Sequence, residues 1–295
     1  MDKFIIRQSC LLFLTAFIWG VAFVAQSAGM DYVGPFTFNA VRCILGGIVL
    51  IPCIGILSLH KKQKSDVSEN KKPLLTGGII CGILLFTASS LQQFGILYTT
   101  AGKAGFITAL YIIIVPVLSI FLHKKAGMKV WISVVIALCG LYLLCMQENL
   151  HLSQGDILLL LCSLTFSFHI MVIDYFAPKV DGVKMSCIQF FVCGILSAIG
   201  MILFENPNIG QILSGWLPIL YGGIMSCGVA YTLQIIGQEG MNPTVASLIL
   251  SMESVISVLA GWVLLHETLS RRELTGCVFM FAAIILAQLP EKEKR

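Results

Sequence analysis

Ten apolar runs set the terms for what this chain can fold into. They fall at roughly 9–29, 35–58, 74–98, 102–122, 129–147, 155–176, 184–204, 213–237, 243–265 and 273–289, joined by short connectors. A bilayer's hydrocarbon core is about 30 Å thick, and about 20 helical residues cross it. A backbone in lipid must satisfy its own hydrogen bonds, so runs of this length read as helices. The longest connector, the polar run from His60 to Lys72, leaves no room for a soluble domain. Composition agrees: the chain is 57% hydrophobic and 12% charged, against about 25% charged in soluble domains. Mean hydropathy is +0.92. The expected fold is an all-α membrane protein with ten transmembrane helices.

Charge placement orients the bundle. With the N-terminus in the cytoplasm, ten spans return the C-terminus there, which places Lys3, Arg7, the lysines at 61, 62, 64, 71 and 72, and Lys124, Lys125 and Lys129 inside. Lys179, Lys184, Lys292, Lys294 and Arg295 join them, while only Lys103, Arg271 and Arg272 lie outside. That asymmetry fits the positive-inside rule and a cell (inner or plasma) membrane location. Net charge is only +4 and dispersed, which argues against a nucleic-acid partner. The 11 cysteines sit almost wholly in apolar runs with no CxxC or CxxxH spacing, so they read as small packing residues, not metal ligands or a disulfide framework. No cofactor is called for. The start of the chain has features of a signal peptide, with Ala25-Gln26-Ser27-Ala28 after an apolar run. That run is long for a signal, and the expectation is that it is retained.

The chain also repeats. Leu91-Gln92 before Gly95 recurs as Leu233-Gln234 before Gly237, an offset of 142. A small-residue loop, a long apolar span, a charged break and a glycine-containing final span follow each time. Two five-span halves result, 1–149 and 150–295, and an odd number of spans inserts the second upside down relative to the first. Two inverted five-helix repeats are the design of many secondary transporters, with a substrate site near the midplane between them.

The chain resembles the EamA-type branch of the drug/metabolite transporter superfamily over essentially its whole length. The residues that carry the likeness are Trp19-Gly20, Pro35 with Arg42, Gly102 to Leu122, Asn242 to Ser270, and Gly276. The family's Leu-Gly-Glu-like helix ending survives as Leu265-His266-Glu267, whereas Leu122-His123-Lys124 replaces it after span four. Ser254 stands where the family has a proline. The resemblance implies a ten-helix inner-membrane carrier that exports or imports small metabolites.

Glu253 is the ionisable side chain of the span from Pro243 to Leu265, about 15 Å along it from Pro243. A carboxyl at that depth costs roughly 3 kcal/mol or more. It reads as a coupling or substrate-binding carboxylate that exchanges a proton, or else as a carboxyl held by an ion pair or by serines of neighbouring helices. Ser247, Ser251 and Ser254 share one face of that span. Against Glu253-Ser254 the first half offers Val115-Pro116, so the deep acid comes from one half only.

Arg42, about eight residues into span two, is either an anion clamp at the cavity mouth or a structural partner. A pair with Glu253 is compatible with the sequence and not required by it. Gln92, Gln93 and Gln234 are groups lipid does not solvate, so they face the bundle interior as cavity wall or as glue between helices. Tyr231 shares a face with Gln234 and Gln238. Trp19 and Tyr111 can stack on a substrate or pack as core. His169 is a proton carrier or a hydrogen-bonded core histidine, and Asp174, nearer the interface, does not share its face. Lys103, opening span four beside Gly102 and Gly105, reads as an anion attractor at a helix start or as an interfacial lysine. Gly78 and Gly82 form a GxxxG motif, read as a close helix contact.

The functional expectation is secondary transport of a small polar or amphipathic metabolite, such as an amino acid or related compound, by alternating access, with protons as a candidate coupling ion. No Walker A motif supports ATP hydrolysis. A scramblase or assembly factor is the alternative class. An intramembrane transferase needs DDxxD, HExxH or GxSxG-type chemistry, which the sequence lacks, so no enzyme is expected. Besides substrate and lipid bilayer, the oligomeric state, monomer or homodimer, is left open by the sequence.

Overall fold

The computed structural model describes residues 3–61, 71–99, 101–121, 127–145, 153–264 and 270–288. Among them every regular element is helical. In order these are α1 (Lys3–Gly29), α2 (Pro35–Lys61), α3 (Lys71–Ile96), α4 (Ala101–Thr108), α5 (Tyr111–Phe121), α6 (Met128–Cys145) and α7 (Gln154–Phe176). Then come a 3-10 turn (Ala177–Lys179), α8 (Gly182–Phe204), α9 (Ile209–Ser214), α10 (Trp216–Leu220), a π-helical stretch (Tyr221–Tyr231), α11 (Thr232–Gln238), α12 (Pro243–Leu250), α13 (Met252–Leu264) and α14 (Arg271–Gln288). Eight segments are long and apolar enough to cross a membrane, with α4–α5, α10–α11 and α12–α13 each counted as one. The fifth and tenth apolar runs give shorter helices, Met128–Leu143 and Leu274–Ala287.

Local chemistry fixes where these helices begin. Ser153 and Asp156 form a reciprocal capping box at the start of α7, and Asp181 caps α8 through Val183 N and Lys184 N. Asn242 caps α12, with Pro243 in the first helical position. Gly240, at φ +72°, turns the chain from α11 into α12. The start of α2 is capped from a distance: the Glu205 carboxylate accepts from Phe36 N and Thr37 N at 2.8 Å and from Thr37 Oγ1 at 2.6 Å.

The interior is built on glycine contacts. α2 runs along α8, α6 along α14, α3 lies against α7 and α8, and α1 packs on α13 and the π-helical stretch. A Cβ added at Gly78 would lie 2.6 Å from Ile188 Cγ2, and one at Gly82 2.6 Å from Val192 Cβ, so the GxxxG motif is the α3–α8 contact. Large apolar side chains such as Ile48, Ile51, Ile83 and Ile199 point outward, as a lipid-facing surface requires.

Spans four and nine, read from sequence as continuous, are each broken. α4 gives way to α5 at Ala109–Leu110, and α12 to α13 at Ser251. α4 and α12 begin at Ala101 and Pro243 and end at Thr108 and Leu250, both 142 residues apart. This is the offset of the Leu-Gln repeat, and it sets Tyr111, not Val115, opposite Glu253. The expected match of Val115-Pro116 with Glu253-Ser254 followed a proline; the helix breaks fix a register four residues earlier. The endings Leu122-His123-Lys124 and Leu265-His266-Glu267, residues 62–70 of the polar run and the 149/150 boundary lie outside the described residues.

Candidate functional site

The break in each of the two spans brings polar side chains to the middle of the bundle. Glu253, second residue of α13, accepts a hydrogen bond from Tyr111 Oη at 3.0 Å. One residue on, Ser254 Oγ donates to Gly105 O of α4 at 2.9 Å, so this hydroxyl ties the two broken spans together. Ser247, Ser251 and Ser257 turn back on carbonyls of their own span. Gly20 brings α1 against α13: an added Cβ there would lie 2.4 Å from Ile256 Cβ and 2.8 Å from Glu253 O.

Beside this pair lies a cavity of about 30 Å³. That is room for about two waters. Glu253 and Tyr111 form part of its wall, with Arg42, Trp19, Tyr231, Gln92 and Gln234 around it. Seven of the nine candidates expected from the sequence thus share one cavity. Gln93 and His169 do not line it. Gln93 donates through Nε2 to Gln26 O at 3.1 Å, and His169 Nε2 lies 3.1 Å from Gln189 Oε1, with its ring edge-on behind Tyr231 at 6.1 Å.

Arg42 is 3% exposed and makes no salt bridge with Glu253 among the described residues. Its stem lies against Gly222 of the π-helical stretch, where an added Cβ would stand 3.3 Å from Arg42 Cδ. Its guanidinium carbon sits 5.3 Å from the Phe38 ring centroid. Trp19 and Tyr231 meet at 4.5 Å between centroids. Gln92 Nε2 reaches Thr108 Oγ1 at 3.5 Å, a long contact.

Four cavity-lining residues hold a buried polar atom with no hydrogen-bond partner among the described residues: Trp19 Nε1, Arg42 Nε, Gln26 Oε1 and Gln234 Oε1. Buried polar atoms are ordinarily satisfied. Here two donors and two acceptors surround one space. Gln26, Thr108 and Ser226 are wall residues that sequence reasoning missed, and Phe23, Phe166, Ile170 and Leu250 supply its apolar part. Gln26 stands within the Ala25–Ala28 stretch that suggested a signal cleavage site; its depth in the first apolar run was the available cue.

Elsewhere, Lys103 is not set to receive a free anion, because its Nζ pairs with Asp156 Oδ2 at 2.8 Å. Asp174, expected nearer the interface, is 8% exposed. No group of three or more metal-ligating His, Cys, Asp or Glu side chains occurs among the described residues.

The EamA-like transporter family model matches residues 7–146 and 153–289. The chain belongs to the EamA-like transporter family. An uncharacterized transporter of Archaeoglobus fulgidus is 29% identical over 279 residues, covering 94% of this chain and 84% of that protein. The uncharacterized transporter YoaV of Bacillus subtilis is 22% identical, covering 91% and 92%. The uncharacterized inner membrane transporter YedA of Escherichia coli is 25% identical, covering 94% and 89%. One solved crystal structure superposes with TM-score 0.76 at 19% identity over 95% of this chain and 96% of that one, a likeness of fold. This EamA-like chain is therefore a multi-pass membrane protein of a transporter family, not of an enzyme family.

Proposed function

We propose that this EamA-like protein is a secondary transporter that carries a small polar or amphipathic metabolite through the Arg42–Glu253 cavity by alternating access between two inverted five-helix halves. The observation that carries the reading is the set of unpartnered donors and acceptors in that cavity. Trp19 Nε1 and Arg42 Nε call for an acceptor such as a carboxylate. Gln26 Oε1, Gln234 Oε1 and the carboxyl of Glu253 call for a donor such as an ammonium or hydroxyl group. A compound bearing both, with a modest apolar part facing Phe23, Phe166 and Ile170, matches the chemistry of the wall, and the cavity, with room here for about two waters, has to widen to admit it; amino acids and their relatives are the first class to try.

Packing symmetry supports the two halves. α3 meets α7 as α10–α11 and the π-helical stretch meet α1; α4–α5 meets α7 as α12–α13 meets α1. α2 with α8 and α6 with α14 are pairs that such an exchange maps onto themselves. With both termini cytoplasmic, alternating access exchanges the arrangements of the two halves around the fixed site. Glu253 is the coupling group in this reading, taking up and releasing a proton as the cavity faces each side.

Counterflow by purified protein in liposomes, screened against a metabolite panel, tests the transport reading. A zwitterionic or hydroxylated substrate is expected, with Arg42→Ala lowering its counterflow by about tenfold or more, equivalent to about 1.4 kcal/mol. Saturable transport unaffected by Arg42→Ala overturns the site. Coupling is tested by an imposed pH gradient: if Glu253→Gln responds to the gradient as the parent does, Glu253 is not the coupling group.

A further inference from the structure

One cluster of reactive side chains plays no part in the cavity described above. Cys43 of α2 and Cys193 of α8 stand with their Sγ atoms 3.4 Å apart, and both are buried. Ser89 Oγ of α3 is 3.9 Å from the same Cys193 sulfur. Glycines let the two backbones approach: an added Cβ at Gly194 would meet Ile44 N at 3.2 Å and Cys43 Cβ at 3.5 Å. A third thiol is near, because a Cβ on Gly46 would lie 2.5 Å from Cys227 Cβ. Cys43, Cys193 and Cys227 are not joined by disulfides.

We propose that Cys43 and Cys193 are a modification site, closing to a reversible disulfide when a peroxide of about the size of water reaches them. A disulfide needs an S–S distance of about 2.05 Å, so the pair, at 3.4 Å, must close by little more than an ångström. Neither sulfur lines the cavity and both are buried, so the peroxide reaches the pair as α2 and α8 move in the proposed transport cycle.

The chemistry balances. One thiol attacks hydrogen peroxide, the O–O bond breaks, and a sulfenic acid and one water form. The second thiol then attacks the sulfenic sulfur, the S–S bond forms and a second water leaves. Two sulfurs give up one electron each, and one peroxide is reduced to two waters. A dithiol reductant reverses the bond by exchange.

The consequence rests on the transport reading above. α2 and α8 belong to different halves of the chain, and α2 carries Arg42. A covalent tie between them holds that wall of the cavity in one arrangement and arrests the cycle, so the pair is an oxidation-sensitive brake.

The test treats the full-length protein in liposomes with hydrogen peroxide, alkylates remaining thiols under denaturing conditions, and maps linked peptides by mass spectrometry. The expected result is a Cys43–Cys193 peptide, two fewer alkylatable thiols, and recovery of both with dithiothreitol. Counterflow is expected to fall to the level of empty liposomes on oxidation and to return on reduction. Cys43→Ser and Cys193→Ser, which differ by one atom from the parent, are expected to lose the linkage and the oxidation sensitivity together. Cys227→Ser should keep both. No linked peptide, or linkage of Cys43 to Cys227 instead, overturns the site; linkage with unchanged counterflow overturns the brake. Absence of transport by the reduced parent, with the linked peptide still formed, would count against the transport reading alone, because the thiols are read by mass.

Discussion

Tyr111 Oη donates to Glu253 Oε1 at 3.0 Å, and the two residues stand 142 positions apart, each at the opening of the second piece of a broken span. The bond therefore joins corresponding points of the two spans across the middle of the bundle. A phenol can donate to a carboxyl oxygen whether or not the acid carries its proton. Tyr111 thus holds Glu253 in place without fixing its charge, which is what the proposed coupling role requires.

Tyr111→Phe removes that donor and leaves a buried acceptor unmatched. The expected loss is about 1–3 kcal/mol of stability, read as a lower melting temperature of the purified protein in detergent. Glu253→Gln keeps an acceptor for the phenol and should melt within a few degrees of the parent. If Tyr111→Phe melts like the parent, the bond contributes nothing to holding the two spans together.

Glycine positions give a paired prediction with opposite signs. At Gly20 an added Cβ would meet Ile256 Cβ at 2.4 Å and Glu253 O at 2.8 Å, so Gly20→Ala must push α1 off α13 directly behind the site. Overpacking of this kind costs about 1–3 kcal/mol, and transport should fall with it. At Gly55 of α2 nothing lies within 4 Å of an added Cβ. Gly55→Ala should be neutral or stabilise by up to about 1 kcal/mol through helix propensity. Thermal melting of both variants against the parent decides; equal effects would refute the packing assignment of Gly20.

Much of this architecture is legible in the sequence, because lipid forces apolar runs of fixed length and the repeat recurs at 142 residues. Legibility ends where the signal is conformational rather than compositional. Neither Ala109–Leu110 nor Ser251 carries a glycine or proline that would announce a break, so spans four and nine read as continuous. The π-helical stretch at Tyr221–Tyr231 has three glycines but otherwise looks like any apolar span. In the site, a deep charge or amide is visible from sequence, and Glu253, Arg42, Gln92 and Gln234 all reach the cavity. Which way a polar residue turns is not. Gln93, next to Gln92, faces Gln26 O, and His169 turns to Gln189. Thr108 and Ser226 are indistinguishable by sequence from the many hydroxyl residues that bond their own helix.

Glu205, just beyond α8, is the sole acidic group that caps α2 among the described residues, and it does so with both carboxylate oxygens. The positive end of the α2 dipole adds to these bonds. Glu205→Ala leaves Phe36 N, Thr37 N and Thr37 Oγ1 without this acceptor and should destabilise by about 1–2 kcal/mol. Glu205→Gln, which keeps one acceptor oxygen but no charge, should fall between parent and alanine. The order parent, glutamine, alanine in melting temperature is the expected outcome, and a glutamine variant as weak as alanine would assign the effect to charge alone.

Arg42 tests whether the cavity reads charge or shape. Its guanidinium faces the Phe38 ring at 5.3 Å while its stem lies on Gly222, so the plane of the group is set by what surrounds it. Lysine keeps the positive charge but has neither the plane nor the paired donors that grip a carboxylate on two oxygens. Arg42→Lys should therefore fold, since its aliphatic stem still covers Gly222, yet lower counterflow of a carboxylate-bearing substrate by about tenfold, or about 1.4 kcal/mol. Phe38→Leu removes the stacking surface and leaves the guanidinium, so a smaller loss of the same kind is expected. Counterflow of the lysine variant equal to the parent's would mean that the site needs only a positive charge and that the Phe38 stack has no part in recognition.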